Sequence, residues 1–206
     1  MLAKMVVENK ITSEKGFNQN KEISGYGTVR NFLLLTLICC IMIQNNNDLK
    51  KSLNNLSITS LNCNSLNMSK MGTEKQKVKL YGIVSTRSDI ILLSDIRLGN
   101  SQGGTCAHEL EKLFSVTPYG NYKFLHNSKN SSRGVGILIN HKINFSVLET
   151  KEDDTGNILL VSADLNGNKI TIGAIYGPNR VEEFFFTELG SLLTEIGDQP
   201  VILGGD

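Results

Sequence analysis

ILLVSADLNGNKITIGAIY, residues 158–176, decides the fold. Two apolar, β-branched runs, Ile158–Leu165 and Lys169–Tyr176, flank Asn166-Gly167. A two-residue type I′ turn needs positive φ at both central positions, which Asn and Gly tolerate, so the stretch is expected to be an antiparallel hairpin. Working towards the N-terminus, strands are expected at Phe145–Leu148, Val135–Ile139, Tyr122–Leu125, Ile90–Leu93 and Leu56–Leu61, and on the other side at Val201–Leu203. Helical periodicity separates some of them. Glu74–Arg87 places Leu80, Ile83 and Val84 on one face, Ala107–Phe114 is a second segment, and Val181–Ile196 carries Phe185, Leu189, Leu192, Leu193 and Ile196 in one stripe. Within that last helix the Phe184–Phe186 run reads as core with one exposed ring. Strands alternating with helices around an antiparallel hairpin imply an α/β (α+β) domain with mixed sheets.

Composition sets the outer limits. The chain has 206 residues, 40% of them hydrophobic, with 21 basic and 20 acidic side chains, enough for one well-buried domain. Residues 1–54 hold 7 basic against 4 acidic side chains, and the remainder 14 against 16. A net charge of +1 excludes a protein that binds nucleic acid through bulk charge, so any phosphate contact must rest on local groups or a metal. Cys39, Cys40, Cys63 and Cys106 have neither zinc-cage spacing nor the look of a disulfide framework, and a reducing compartment is the simplest reading. The sequons at Asn55, Asn67, Asn130 and Asn144 carry little weight in a chain with 22 Asn.

Residues 1–54 are expected to form a poorly ordered extension outside the domain at 55–206. Their one apolar block, Phe32–Ile43, would make a helix of roughly 18 Å, well short of the ~30 Å hydrocarbon core of a bilayer. It also lacks a small-residue cleavage site in Gln44–Asp48, so neither a membrane span nor a signal anchor is expected. No compact Lys/Arg cluster marks a nuclear address, which leaves the compartment open between nucleus and cytoplasm.

Four apolar strands each end in a polar group: ITSL before Asn62, IILLS before Asp95, ITIGAI before Tyr176, and VILGG before Asp206. Ligands gather outside the carboxyl ends of strands in α/β sheets, so these residues are the candidates for a common site. Each has a plainer reading alone. Asn62 suits a turn, Asp95 a cap, Tyr176 a strand aromatic entering the Gly177-Pro178 turn, and Gly204-Gly205-Asp206 ordinary loop composition.

Taken in order, these segments resemble the endonuclease/exonuclease/phosphatase superfamily, and within it the apurinic-type endonuclease of non-LTR retrotransposons. SLNCNSL resembles the family's first strand motif, ILLSDIRL its metal-carboxylate motif, SRGVGILI its Gly-rich strand, AIYGPN its Tyr-Pro-Asn segment, and VILGGD the opening of its Gly-Asp-Phe/Trp-Asn motif. The resemblance covers residues 56–206. It implies the N-terminal portion of a two-sheet αββα sandwich and hydrolysis of DNA phosphodiesters with Mg²⁺ or Mn²⁺, leaving a 3′-hydroxyl. No organic cofactor is implied, and a reverse transcriptase domain is the expected downstream partner. By this likeness Asp95 and Asn62 hold the metal, whose preference for carboxylate and amide oxygens they meet. Tyr176 donates to a phosphate oxygen and Asp206 orients or deprotonates water. Asn179 orders the same loop, and Arg97, Lys129 and Arg133 meet the nucleic acid backbone.

Two departures accompany the resemblance. The family usually has Glu where this chain has Asp95, which displaces the metal by about one C–C bond unless the strand compensates. The sequence stops at Asp206, ahead of the family's following Asn, a further strand-end Asp and an Asp-His pair, so this stretch alone is expected to be inactive. His108, His126 and His141 have no identifiable partner that would replace that pair, and Cys106 with His108 makes at most half a metal site. The alternatives kept are an inactive decayed fragment and a superfamily phosphodiesterase or phosphatase acting on lipid or RNA.

Overall fold

The computed structural model describes residues 56–67, 73–98, 105–129, 131–178 and 183–206. The expectations for the 1–54 extension, its 32–43 apolar block and Asn179 therefore lie outside the described residues. In chain order the elements are β1 (Ile58–Asn62), α1 (Thr73–Val84), β2 (Ile90–Ser94), α2 (Thr105–Ser115), β3 (Tyr122–Asn127), β4 (Val135–Asn140), β5 (Phe145–Glu152), β6 (Ile158–Leu165), β7 (Asn168–Ile175), α3 (Glu183–Ile196) and β8 (Val201–Gly205). Asn166 and Gly167 have φ of 53° and 83°, as a type I′ turn requires, and β6 and β7 pair antiparallel from Leu165↔Asn168 out to Ile158↔Ile175.

The strands form two four-stranded sheets, β1-β2-β4-β3 and β5-β6-β7-β8. Each sheet has antiparallel neighbours and one parallel pair at an edge, β1 with β2 and β7 with β8. A parallel pair cannot be closed by a tight turn, and here the crossovers are α1 and α3. The sheets meet face to face. Ile90, Leu92, Val135, Ile137 and Ile139 of the first pack against Leu159, Val161, Leu165, Ile170, Ile172 and Ala174 of the second. On the outer face of the first sheet, Leu80, Ile83 and Val84 of α1 and Leu110 and Phe114 of α2 cover Ile91, Leu93 and Leu138. On the outer face of the second, Phe185, Leu189 and Ile196 of α3 cover Ile158, Leu160 and Ile175. The order of layers is thus helix, sheet, sheet, helix. Strands β2 and β4 are buried along their whole length, which is why they read as continuous apolar runs rather than alternating ones. Edge strand β5 alternates until its register shifts between Val147 and Glu149.

Three expectations are corrected. The first helix ends at Val84 and not at Arg87: the Ser85 and Thr86 hydroxyls donate to the carbonyls of Gly82 and Ile83, and Arg87 turns left-handed with φ of 54°. In the Phe184–Phe186 run two rings are exposed, not one, because a helix advances about 100° per residue and only Phe185 meets the sheet. Gly204-Gly205 lies within β8. A Cβ on Gly204 would stand 2.6 Å from Leu92 Cδ1 and 3.3 Å from Ser60 Cβ, so glycine lets β8 approach β1 and β2 across the sandwich. No helix among the described residues is long and apolar enough to cross a membrane.

Candidate active site at the strand ends

The close approach of β8 brings the carboxyl ends of both parallel pairs to one rim. Asn62 is the last residue of β1, Asp95 follows β2, Tyr176 follows β7, and Asp206 follows β8. Asn62 Nδ2 donates to Asp206 Oδ2 at 2.5 Å, a side-chain contact between the sheets across 144 residues of sequence. The second Asn62 side-chain atom, Oδ1, accepts from the Asn64 N–H at 2.9 Å. Backbone bonds tie Asp206 to the Tyr176 segment: Gly177 N donates to Asp206 O at 2.7 Å, and Asp206 N to Ile175 O at 3.4 Å. The structure therefore brings Asn62, Tyr176 and Asp206 together and sets Asp95 beside them through Arg97.

Beyond the ends of β1 and β2 the two chains continue side by side. Cys63 N donates to Ser94 O at 2.8 Å, Ser65 N to Asp95 O at 2.8 Å and Leu66 N to Ile96 O at 2.6 Å, while Ile96 N and Arg97 N donate to the carbonyls of Gly134 and Arg133. Within this zipped segment four residues that are not glycine have positive φ: Asn64 (44°), Ser65 (74°), Asp95 (58°) and Arg97 (48°). Left-handed backbone costs such residues on the order of 1–2 kcal/mol each, and it clusters at functional sites where the surroundings over-determine it. Lys79 holds the first of these turns, its Nζ donating to Asn64 O at 2.9 Å and Ser65 O at 2.7 Å. Burial lowers the Lys79 pKa below the usual ammonium range, opposed by the nearby Asp95 carboxylate. Cys63 itself is pushed up to about 12 by burial, so its thiol stays protonated.

Asp95 is buried, and both of its oxygens are engaged. Arg97 Nε donates to Oδ1 at 2.6 Å and Arg97 Nη2 to Oδ2 at 2.7 Å, the two-pronged geometry that suits guanidinium to carboxylate. The Asp95 hydrogen bond and charge raise the Arg97 pKa, with Tyr176 beside the guanidinium adding a smaller share. In this arrangement the oxygen donors do not fit a divalent cation: Asp95 already carries a positive partner on both oxygens, and Asn62 Oδ1 is bonded to backbone. Among the described residues no three His, Cys, Asp or Glu side chains gather around a point that would hold a metal.

The other predicted contacts divide. Lys129 Nζ lies 2.6 Å from Glu152 Oε1, which answers its charge, and that hydrogen bond raises its pKa. Arg133 stays next to the rim, its carbonyl accepting from Arg97 N at 3.1 Å. His108 is exposed on α2 with Glu111 at 3.9 Å, His141 follows the far end of β4, and His126 stacks on Phe124 with ring centroids 5.3 Å apart. None of the three joins Asp95, and the Cys106 side chain lies outside the described residues.

Sequence reasoning missed Lys79, which belongs to no motif, and a buried group formed by Asn127, Asp153 and Asn157. Asn127 Nδ2 donates to Asp153 Oδ1 at 2.9 Å and Ile158 O at 2.8 Å, and the same Asp153 oxygen accepts the N–H groups of Asn157 and Ile158, each at 2.8 Å. Asn157 O then accepts the Tyr176 N–H at 2.8 Å. This group pins the end of β3 and the start of β6 beneath Tyr176. Its only sequence signal was polarity bordering apolar strands, a pattern shared by ordinary turns.

No family model and no curated protein matches the sequence. Among solved structures the chain is similar to an AP endonuclease from Leishmania major, at 14% identity and a TM-score of 0.52, covering 73% of this chain and 54% of that one. It is also similar to a humanized TDP2 from D. rerio, at 18% identity and a TM-score of 0.50, covering 73% of this chain and 61% of that one. These likenesses establish a shared fold. The chain spans little more than half the length of either structure.

Proposed function

We propose that this rim belongs to a phosphodiesterase of the endonuclease/exonuclease/phosphatase superfamily that nicks DNA, in the manner of retrotransposon endonucleases. The observation that carries the reading is the Asn62–Asp206 contact, which joins the carboxyl ends of β1 and β8 across the sandwich, with Tyr176 bonded into the same segment. The fold shared with a Leishmania major AP endonuclease supports the reading.

The chemistry follows from the side chains. A backbone phosphate seated at the rim meets the Tyr176 hydroxyl, a donor for the oxygen on which charge builds up, and the exposed part of the Arg97 guanidinium. Asp206, exposed and steered by Asn62 Nδ2, orients water for in-line attack and accepts its proton, and the bond to the leaving sugar oxygen breaks on the opposite side. The divalent cation implied by the sequence resemblance would need Asp95 free of Arg97.

The test is cleavage of a 5′-labelled duplex in Mg²⁺ by the 206-residue chain and by a polypeptide continued through the coding sequence that follows Asp206. The continued protein is expected to leave ends that a DNA polymerase can extend, and the shorter chain to be inactive. Asp206→Asn is expected to lower cleavage by about 10²-fold or more, on the scale of a lost general base. Asn62→Ala is expected to do the same while changing stability by less than about 1 kcal/mol, because its contact with Asp206 is exposed. Cleavage of an RNA or a phosphoinositide in preference to DNA would replace the DNA reading, and cleavage of none of them would reject it.

A further inference from the structure

What keeps a divalent cation from Asp95 is another cation. Arg97 Nε and Nη2 fork onto both oxygens of a carboxylate whose side chain is 4% exposed. The backbone holds this pair in place: Ile96 between them is fully buried, Ile96 N and Arg97 N are bonded to Gly134 O and Arg133 O, and Asp95 and Arg97 are both left-handed. The fork uses Nε–H and one Nη2–H, so both Nη1–H groups and the second Nη2–H remain. They lie on the edge of the guanidinium away from the buried carboxylate, on a side chain that is 38% exposed. Tyr176 stands beside the same guanidinium, and Asp206 is exposed at the same rim.

This donor set selects its ligand by charge. Asp95 already balances Arg97, the Lys79 ammonium faces the carbonyls of Asn64 and Ser65, and Asp206 adds a second carboxylate. An oxyanion with a single charge and two free oxygens therefore fits best. One oxygen meets the outer guanidinium edge and the other the Tyr176 hydroxyl, which is the pattern of a phosphodiester. A terminal phosphate carries about −1.5 to −2 charge at pH 7 and is repelled by Asp206.

We propose that Arg97, buttressed by Asp95, takes the place at this rim that the sequence resemblance gives to a divalent cation, and that with Tyr176 it binds the diester phosphate of a nucleic acid backbone without metal. The identity of the ligand rests on the phosphodiesterase reading above, and the inference concerns the binding step alone. Asp95 is then a positioning residue: it fixes the guanidinium plane before the ligand arrives, so little side-chain freedom is lost on binding.

The test follows the Arg97 Nε–H cross-peak of the ¹⁵N-labelled 206-residue chain in chelator. The probe is d(TpT), which has a diester and no terminal phosphate. It is expected to shift this peak saturably with no divalent ion present, and Mg²⁺ alone is expected to leave the peak in place. By calorimetry, Arg97→Lys, a point charge that cannot fork onto carboxylate and phosphate at once, is expected to weaken d(TpT) at least about tenfold. Asp95→Asn keeps the guanidinium but loosens it, and is expected to move the Arg97 peak in the free chain and weaken d(TpT) about fivefold. Thymidine 5′-monophosphate is expected to bind at least about threefold more weakly than d(TpT). Binding of d(TpT) that requires Mg²⁺, with Mg²⁺ itself moving the Arg97 peak, overturns the proposal and leaves the phosphodiesterase reading standing. Full affinity in Arg97→Lys overturns it too, and tighter binding of the monophosphate overturns the diester assignment. No shift with d(TpT) overturns the proposal alone if the polypeptide continued past Asp206 cuts DNA, and overturns both readings if it does not. Should either variant fail to fold, the peak of the unaltered chain decides.

Discussion

At the scale of single residues, the site combines groups whose identity is visible in sequence with partnerships that are not. Asn62, Asp95, Tyr176 and Asp206 were legible as polar residues closing apolar strands. The Asp95–Arg97 fork was not, because both residues lie past the end of β2 on left-handed backbone, where the alternation of a strand no longer tells which way a side chain points. The sequence offers no glycine at either position to announce that backbone. Lys79 escaped for a similar reason: its two carbonyl partners lie 14 and 15 residues away on a turn created by the fold. His126 supplies a test at this scale. Burial holds its pKa below the ordinary imidazole range, more strongly than Glu152 and Glu111 pull it up. The unfolded chain therefore binds this proton more readily, so its contribution to stability is intact above about pH 6.5 and is lost as the pH falls through that value and then through the lower folded pKa. His126→Phe retains an aromatic ring against Phe124 and removes the titration, so it should reduce the loss of stability between about pH 7.5 and about pH 5.5 in urea unfolding. An unchanged pH slope would show that His126 is not its source.

At the scale of elements, the hairpin and the helices followed from local chemistry, whereas β8 depended on a contact distant in sequence. Asn166-Gly167 announces its own turn, and the 3.6-residue stripe of α3 announces its own face. Gly204-Gly205 announces only flexibility, and its meaning comes from Leu92 and Ser60 on strands more than a hundred residues earlier. Two substitutions separate these cases. Gly190, within α3, has open space where a Cβ would lie, so Gly190→Ala should raise stability by about 0.5–1 kcal/mol. Gly204→Ala forces a methyl group against Leu92 and should lower stability by about 1–3 kcal/mol, and the same substitution made in a Leu92→Ala background should cost less. Equal effects from the two glycine substitutions, measured by denaturant unfolding, would contradict the close approach of β8.

At the scale of the whole molecule, the two sheets form a clamp with its opening at the strand ends. The apolar inter-sheet layer fixes the spacing, the two parallel pairs aim their carboxyl ends at the same rim, and the Asn62–Asp206 contact joins them there. Mixed sheets were legible from the hairpin. Their face-to-face packing entered through the ordered motif resemblance, because apolar strands alone fit one sheet as readily as two. The central claim is that this rim hydrolyses phosphodiester bonds, and supercoiled plasmid DNA gives the most direct measurement. Incubated in Mg²⁺ with the polypeptide continued past Asp206, the plasmid should relax to the nicked circle, and Asp95→Asn or Asp206→Asn should each stop the reaction while leaving the melting transition cooperative. Nicking that persists in both variants, or no nicking by the continued protein when folded, would contradict the account.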